Sequence, residues 1–143
     1  MIVNVRGFRE LEAMTYRGSC ECRAVTFSVE GPLGPTWACH CSQCRKTSGH
    51  YWVSTEVPNS HLRLIKDSGL RWYRSSEQVS RGFCAGCGSS LFWQEDGESM
   101  ISIGAGTLDD LPSDATTLVK HIFAADMGTY YEVADGLPKS EGW

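Results

Sequence analysis

Three cysteines, Cys39, Cys41 and Cys44, form a C-x-C-x2-C array inside the stretch Trp37–Gly49, and two cations, Arg45 and Lys46, follow at once. Four more cysteines lie outside it, as Cys20-x-Cys22 upstream and Cys84-x2-Cys87 downstream. Soft thiolates at such spacings suit a tetrahedral zinc ion. A closed set of four sulfurs makes a structural site, whereas three protein ligands keep one position open for water or substrate. Seven cysteines therefore divide into four plus three, which predicts one structural zinc and one reactive zinc per chain.

Spacing alone leaves two partitions, because either outer pair could complete a four-sulfur site with part of the central array. The preferred one joins Cys20 and Cys22 to Cys84 and Cys87, since Cys39, Cys41 and Cys44 are close enough in the chain to hold an ion without help. The outer site would then cross-link the first strand to a late turn. The seven cysteines also argue for a reducing compartment, because C-x-C and C-x2-C pairs with one thiol left over fit metal ligation better than disulfides.

A zinc held by three thiolates is a weaker Lewis acid than one held by three histidines, but it can still take a soft fourth ligand. A substrate thiol is the natural one. Coordination would deprotonate that thiol near neutral pH and prepare it to add to an aldehyde carbonyl, the reverse reaction cleaving a carbon–sulfur bond. Cys39, Cys41 and Cys44 are thus the candidate catalytic centre. Arg45 and Lys46 are candidates for the carboxylates of a glutathione-like substrate, since residues 36–50 contain no Asp or Glu. Gln43 and Ser48 are secondary candidates for the same task. The plainer alternatives are that the cations only offset thiolate charge and that the cluster recruits a protein ligand and closes.

The remaining candidates are aromatic or histidine. His40 lies within the array but, by strand alternation, points away from its sulfurs. His50 is positioned as a candidate proton shuttle, while His61 and His121 have no spacing signal. Trp37, Tyr51, Trp52, Phe92 and Trp93 flank the inner motifs; aromatics on strands usually serve the core, so no more than two of the five are expected to wall a pocket near the reactive site.

The frame that must hold these groups is one domain of 143 residues, with 41% hydrophobic and 21% charged residues and 15 glycines, a globular composition. The formal net charge of -4 becomes more negative once thiolates ligate zinc, which argues against a nucleic-acid partner. No apolar run is long enough to span a membrane. The first ten residues lack the apolar run and cleavage site of a signal peptide, so the expected location is cytoplasmic.

Residues 1–15 are read as an N-terminal extension, with Arg9-Glu10-Leu11-Glu12 compatible with a helical turn, and residues 16–143 as the zinc domain. Within it Val25, Phe27 and Val29 alternate with polar residues as in a half-buried strand, ended by Gly31-Pro32. Trp37–Cys41 is the next strand. Ser42–Ser48 is a single helical turn with Ser42 as N-cap and Gly49 as stop. Short strands follow at Tyr51–Glu56, Leu62–Lys66, Leu70–Arg74, Gln78–Phe83, Leu91–Trp93, Ser99–Ala105 and Thr117–Ala124, with a turn or short helix at Asp109–Pro112. Cys84–Gly88 is a knuckle whose glycines permit left-handed backbone. The fold class is mainly β, built of short, curved strands.

Together, Gly18-Ser19-Cys20-x-Cys22, Cys39-His40-Cys41-x2-Cys44-Arg45-Lys46-x-Ser48-Gly49, Phe83-Cys84-x2-Cys87-Gly88-Ser89-x-Leu91-Phe92, His121-Ile122-Phe123 and Asp135-Gly136-Leu137-Pro138 resemble the glutathione-dependent formaldehyde-activating enzyme family, which shares its domain with centromere protein V. The resemblance spans about residues 16–138. It implies an Mss4-like fold with two zinc ions, Cys20, Cys22, Cys84 and Cys87 holding the structural one and Cys39, Cys41 and Cys44 the catalytic one. It further implies a glutathione-linked carbon–sulfur lyase that forms S-hydroxymethylglutathione from glutathione and formaldehyde. The chain departs from the family pattern at Met127-Gly128-Thr129-Tyr130-Tyr131, where the resemblance leads one to expect an aromatic residue, typically Trp, after a Pro. Two other functions compete: a non-catalytic carrier of glutathione or a related thiol, and a structural zinc module for macromolecular contacts.

Overall fold

The computed structural model describes residues 14–143, and these form two β-sheets and one short helix. Strands β1 (Thr15–Ser19), β2 (Thr26–Glu30) and β5 (Leu62–Lys66) make a three-stranded sheet in the order β1-β2-β5. The other seven are β3 (Thr36–Cys39), β4 (Trp52–Pro58), β6 (Leu70–Arg74), β7 (Val79–Cys84), β8 (Ser90–Glu95), β9 (Met100–Gly104) and β10 (Leu118–Ile122), ordered β10-β3-β4-β9-β8-β7-β6. All neighbours are antiparallel except β10, which runs parallel to β3.

Alternation along these strands sorts side chains onto two faces. Phe27 and Val29 of β2, Val57 of β4, Phe92 of β8 and Ile101 and Ile103 of β9 are buried in one core between the sheets. Phe27 meets Phe92 edge to face, with ring centroids 5.1 Å apart. The opposite face of the large sheet is different. Register places Cys39 beside Trp52, Trp37 beside Ser54, Glu56 beside Ser102, Ser102 beside Trp93, and Trp93 beside Arg81. A band of aromatic, polar and sulfur-bearing groups therefore crosses five adjacent strands.

Strands β5 and β6 have the bounds expected from the sequence, and the other expected strands shift by one or two residues at their ends. The helix α1 spans Ser42–Ser48 and stops at Gly49, whose φ of 87° and N–H bond to the Arg45 carbonyl close it. Its N-cap is Cys41 rather than Ser42: the Cys41 sulfur accepts from the Cys44 N–H at 3.3 Å, the role a hydroxyl usually fills. Asp109–Pro112 forms no helix; the nearby 3-10 turn is Ala105–Thr107, and Asp109 instead accepts a hydrogen bond from Ser19 Oγ at 2.7 Å. Strand β1 was not foreseen as such, and its first residue, Thr15, already pairs with Glu30. The helical turn considered at Arg9–Glu12 lies outside the described residues.

Candidate metal centres

Cys20 and Cys22 sit in the turn between β1 and β2, while Cys84 ends β7 and Cys87 lies in the turn to β8, so each pair belongs to a different sheet. Their four sulfurs nevertheless converge, all within 4.8 Å of one another. Cys20 Sγ and Cys84 Sγ each lie 3.7 Å from Cys22 Sγ. A tetrahedron with Zn–S bonds of about 2.3 Å has S···S edges of about 3.8 Å, so the set fits zinc.

The surroundings of this cluster serve the sulfurs. The Val25 N–H points at Cys20 Sγ at 3.2 Å, and the Ser89 hydroxyl lies 3.2 Å from Cys87 Sγ while accepting from the Glu21 N–H. The Ser89 hydroxyl is the main reason the Cys87 thiol is held down to about 5. A Cβ at Gly69 would lie 2.9 Å from Cys84 Sγ and 2.8 Å from Ala24 Cβ, so only glycine lets the β5–β6 turn pass the cluster. Gly88, at φ 80°, turns the chain out of the knuckle.

The second cluster is local. Cys39 ends β3, Cys41 caps α1 and Cys44 lies on the buried side of its first turn, and the three sulfurs are also within 4.8 Å of one another. Hydrogen bonds from the Cys39 and Cys44 thiols hold Cys41 down to about 2, with the Cys44 N–H and Arg81 helping. Cys39 is raised in turn, first because it donates to Cys41 and then because of Cys44 and burial. The three sulfurs are thus unequal, Cys41 favouring the thiolate and Cys39 the thiol. A divalent ion is what lets all three ionise together.

Among the described residues no fourth His, Cys, Asp or Glu joins this set. His40 is turned away, as expected, and is fully buried with both ring nitrogens engaged. Asp135 is held below the usual carboxylate range chiefly by its hydrogen bond with His121, so as a carboxylate it accepts from His121 Nε2 at 2.7 Å. His121 Nδ1 then accepts from His40 Nε2 at 2.8 Å, and His40 Nδ1 accepts from the Tyr131 hydroxyl at 2.5 Å. Burial, followed by His121, pushes His40 down to about 4, so it is neutral at pH 7. The chain Tyr131-His40-His121-Asp135 anchors the peptide between two cluster sulfurs. Spacing offered no signal for it, because its members are 81, 91 and 14 residues apart, although His40, His121 and Asp135 all fall in the motifs that carry the family resemblance.

Cys39, Cys41 and Cys44 open onto a cavity of about 640 Å³ whose floor is the aromatic and polar face of the large sheet. Gln43 lines it; Arg45, Lys46 and Ser48 do not, Ser48 donating instead to the Cys44 and His50 carbonyls. His50 is also outside, bonded to the Tyr130 hydroxyl. Three of the five nominated aromatics, Trp37, Trp52 and Trp93, line the cavity, one more than expected, because alternation puts them on the face opposite the core; Phe92 belongs to the core.

The cation that does reach the cavity is Arg81, which no motif or spacing in the sequence marks. It is buried at 8% exposure and donates from Nη1 to Cys44 Sγ at 3.6 Å and from Nη2 to Gln43 Oε1 at 3.4 Å. Its Nε has no partner, and it makes no ion pair with a carboxylate among the described residues.

A mainly β domain carrying one four-cysteine and one three-cysteine cluster, the latter at a cavity, defines a protein with two groups of thiols that could each hold a metal ion. The model of the glutathione-dependent formaldehyde-activating enzyme family matches residues 15–126, and the chain belongs to that family. The crystal structure of a Rhodobacter sphaeroides protein, a structural-genomics target, superposes with a TM-score of 0.55 at 21% identity, over 72% of this chain and 99% of that one, and is similar in fold. No described helix is long and apolar enough to cross a membrane. Protein purified without chelator is expected to carry two metal ions per chain, one for each cluster. Elemental analysis checks this, and one ion or fewer in a fully reduced sample would count against the division.

Proposed function

We propose that this chain is a zinc-dependent carbon–sulfur lyase acting on adducts of an aldehyde with glutathione or a similar thiol. Cys20, Cys22, Cys84 and Cys87 hold a structural zinc, and Cys39, Cys41 and Cys44 hold a reactive one. The observation that carries the reading is that all three sulfur-bearing residues of the smaller cluster line one cavity of about 640 Å³, whereas of the four-cysteine cluster only Cys87 reaches a cavity, a smaller one of about 420 Å³. The seven free thiols suit a reducing compartment, and we place the protein in the cytoplasm on that ground.

Zinc at the three cysteines supplies a soft Lewis acid that keeps a substrate thiol ionised near neutral pH. The reaction joins the thiol sulfur to the carbonyl carbon, and the thiol proton ends on the former carbonyl oxygen; the reverse breaks the same carbon–sulfur bond. Arg81, fixed by Cys44 and Gln43, presents a desolvated guanidinium to the oxygen on which negative charge develops. Gln43 keeps its nominated role as a substrate contact. Arg45 and Lys46 are away from the cavity lining, and we assign them to balancing the charge of the thiolates.

Formaldehyde consumption with glutathione should be faster with zinc-loaded protein than without it, and Cys44→Ser should remove the acceleration. Thiol binding without acceleration would select the carrier. Absence of thiol binding would leave only the structural module.

A further inference from the structure

The cavity at the three-cysteine cluster is walled on several sides by apolar side chains, among them Trp37, Trp52, Trp93, Ile122, Phe123 and Trp143. Its volume of about 640 Å³ is in the range of sites that enclose drug-sized ligands. Four tryptophans converge on it: Trp37, Trp52 and Trp93 from the sheet, and Trp143, which packs edge-on against Phe123 at 5.1 Å and Trp93 at 6.1 Å. Trp37 and Trp143 remain 38% and 69% exposed, so indole surface is left facing water at the site where a ligand would enter.

The charges point the same way. The cavity holds one buried cation, Arg81, and two exposed carboxylates, Glu56 and Asp126. Glutathione brings two carboxylates and one ammonium; with Arg81 taken up by the carbonyl oxygen, its carboxylates meet Glu56 and Asp126, groups of their own sign, among the described lining residues, and a further cation, Lys120, lies over the Trp37 ring at 5.1 Å. A neutral body avoids that conflict, and a ring gains the stacking and burial that indoles provide.

We propose that the preferred substrate thiol has an aromatic or extended apolar body, with its sulfur at Cys39, Cys41 and Cys44 and its ring among the tryptophans. This rests on the open three-sulfur site proposed above and narrows its substrate class. The test titrates zinc-loaded protein with benzyl mercaptan, mercaptoethanol and glutathione, read by calorimetry and tryptophan fluorescence. Benzyl mercaptan is expected to bind at least about tenfold more tightly than mercaptoethanol, the ring adding buried apolar area. Trp37→Ala and Trp143→Ala, at exposed positions outside the buried core, should each remove most of that advantage, with mercaptoethanol as internal reference. Equal affinity of the two small thiols, or glutathione binding tightest and unchanged in both variants, would overturn the aromatic assignment while leaving the open site intact. If no thiol binds, the open site falls and the assignment with it.

Discussion

Cys84→Ser is expected to unfold or aggregate the protein, whereas Cys44→Ser should leave a folded domain with less metal. Cys84 is fully buried, and its sulfur belongs to the cluster that ties the β1–β2 turn of the small sheet to the β7–β8 turn of the large one. A structural zinc contributes roughly 10–16 kcal/mol of folding free energy, as much as the whole net stability of a domain of this size. Loss of one ligand therefore decides between folded and unfolded. The Cys39, Cys41 and Cys44 ligands join only the end of β3 to the helix that follows it, so Cys44→Ser unties no distant strands and gives up, at a distance, only the hydrogen bond from Arg81 to the Cys44 sulfur. Circular dichroism and metal content of the two variants, side by side, make the comparison. Equal destabilisation would reverse the assignment of roles.

Arg81→Met is expected to reduce thiol-dependent aldehyde turnover by about 10²–10³-fold, the usual effect of removing one preorganised donor to a developing oxyanion. The loss should fall on kcat more than on KM, because the guanidinium acts where charge develops. Folding should survive. Arg81 has no carboxylate partner that its removal would strand, and methionine fills similar space without a buried charge. Unchanged kcat, or an effect confined to KM, would show that Arg81 only balances the sulfurs.

The cysteines were legible because ligand spacing is local: each pair or triplet lies within one turn, and only the pairing of Cys20 and Cys22 with Cys84 and Cys87 needed the fold. Strands β5 and β6 were legible from turn residues on both sides, Pro58-Asn59, Asp67-Ser68-Gly69 and Ser75-Ser76. Arg81 was not, because its meaning depends on a helix 37 residues earlier, and nothing in the order Ser80-Arg81-Gly82 indicates which side of the sheet it faces. Arg45 and Lys46 had the opposite problem. They adjoin the cluster in sequence, but a helix turns successive residues through about 100°, and the cavity is met by Gln43 and Cys44 instead. The parallel pairing of β10 with β3 was also hidden, since the alternation that identifies a strand says nothing about its partner.

The two faces of the large sheet are under separate constraints. Thr55, Val57, Ile101 and Ile103 turn inward, while their chain neighbours Ser54, Glu56, Met100 and Ser102 look into the cavity. Ligand preference can therefore drift, or be redirected in the laboratory, by changing every second residue of β4 and β9 without disturbing the interior that keeps the chain folded. One scaffold with its cysteine clusters left in place could in this way be retuned to ligands of many shapes, the alternation of the strand separating what must be kept from what is free to vary.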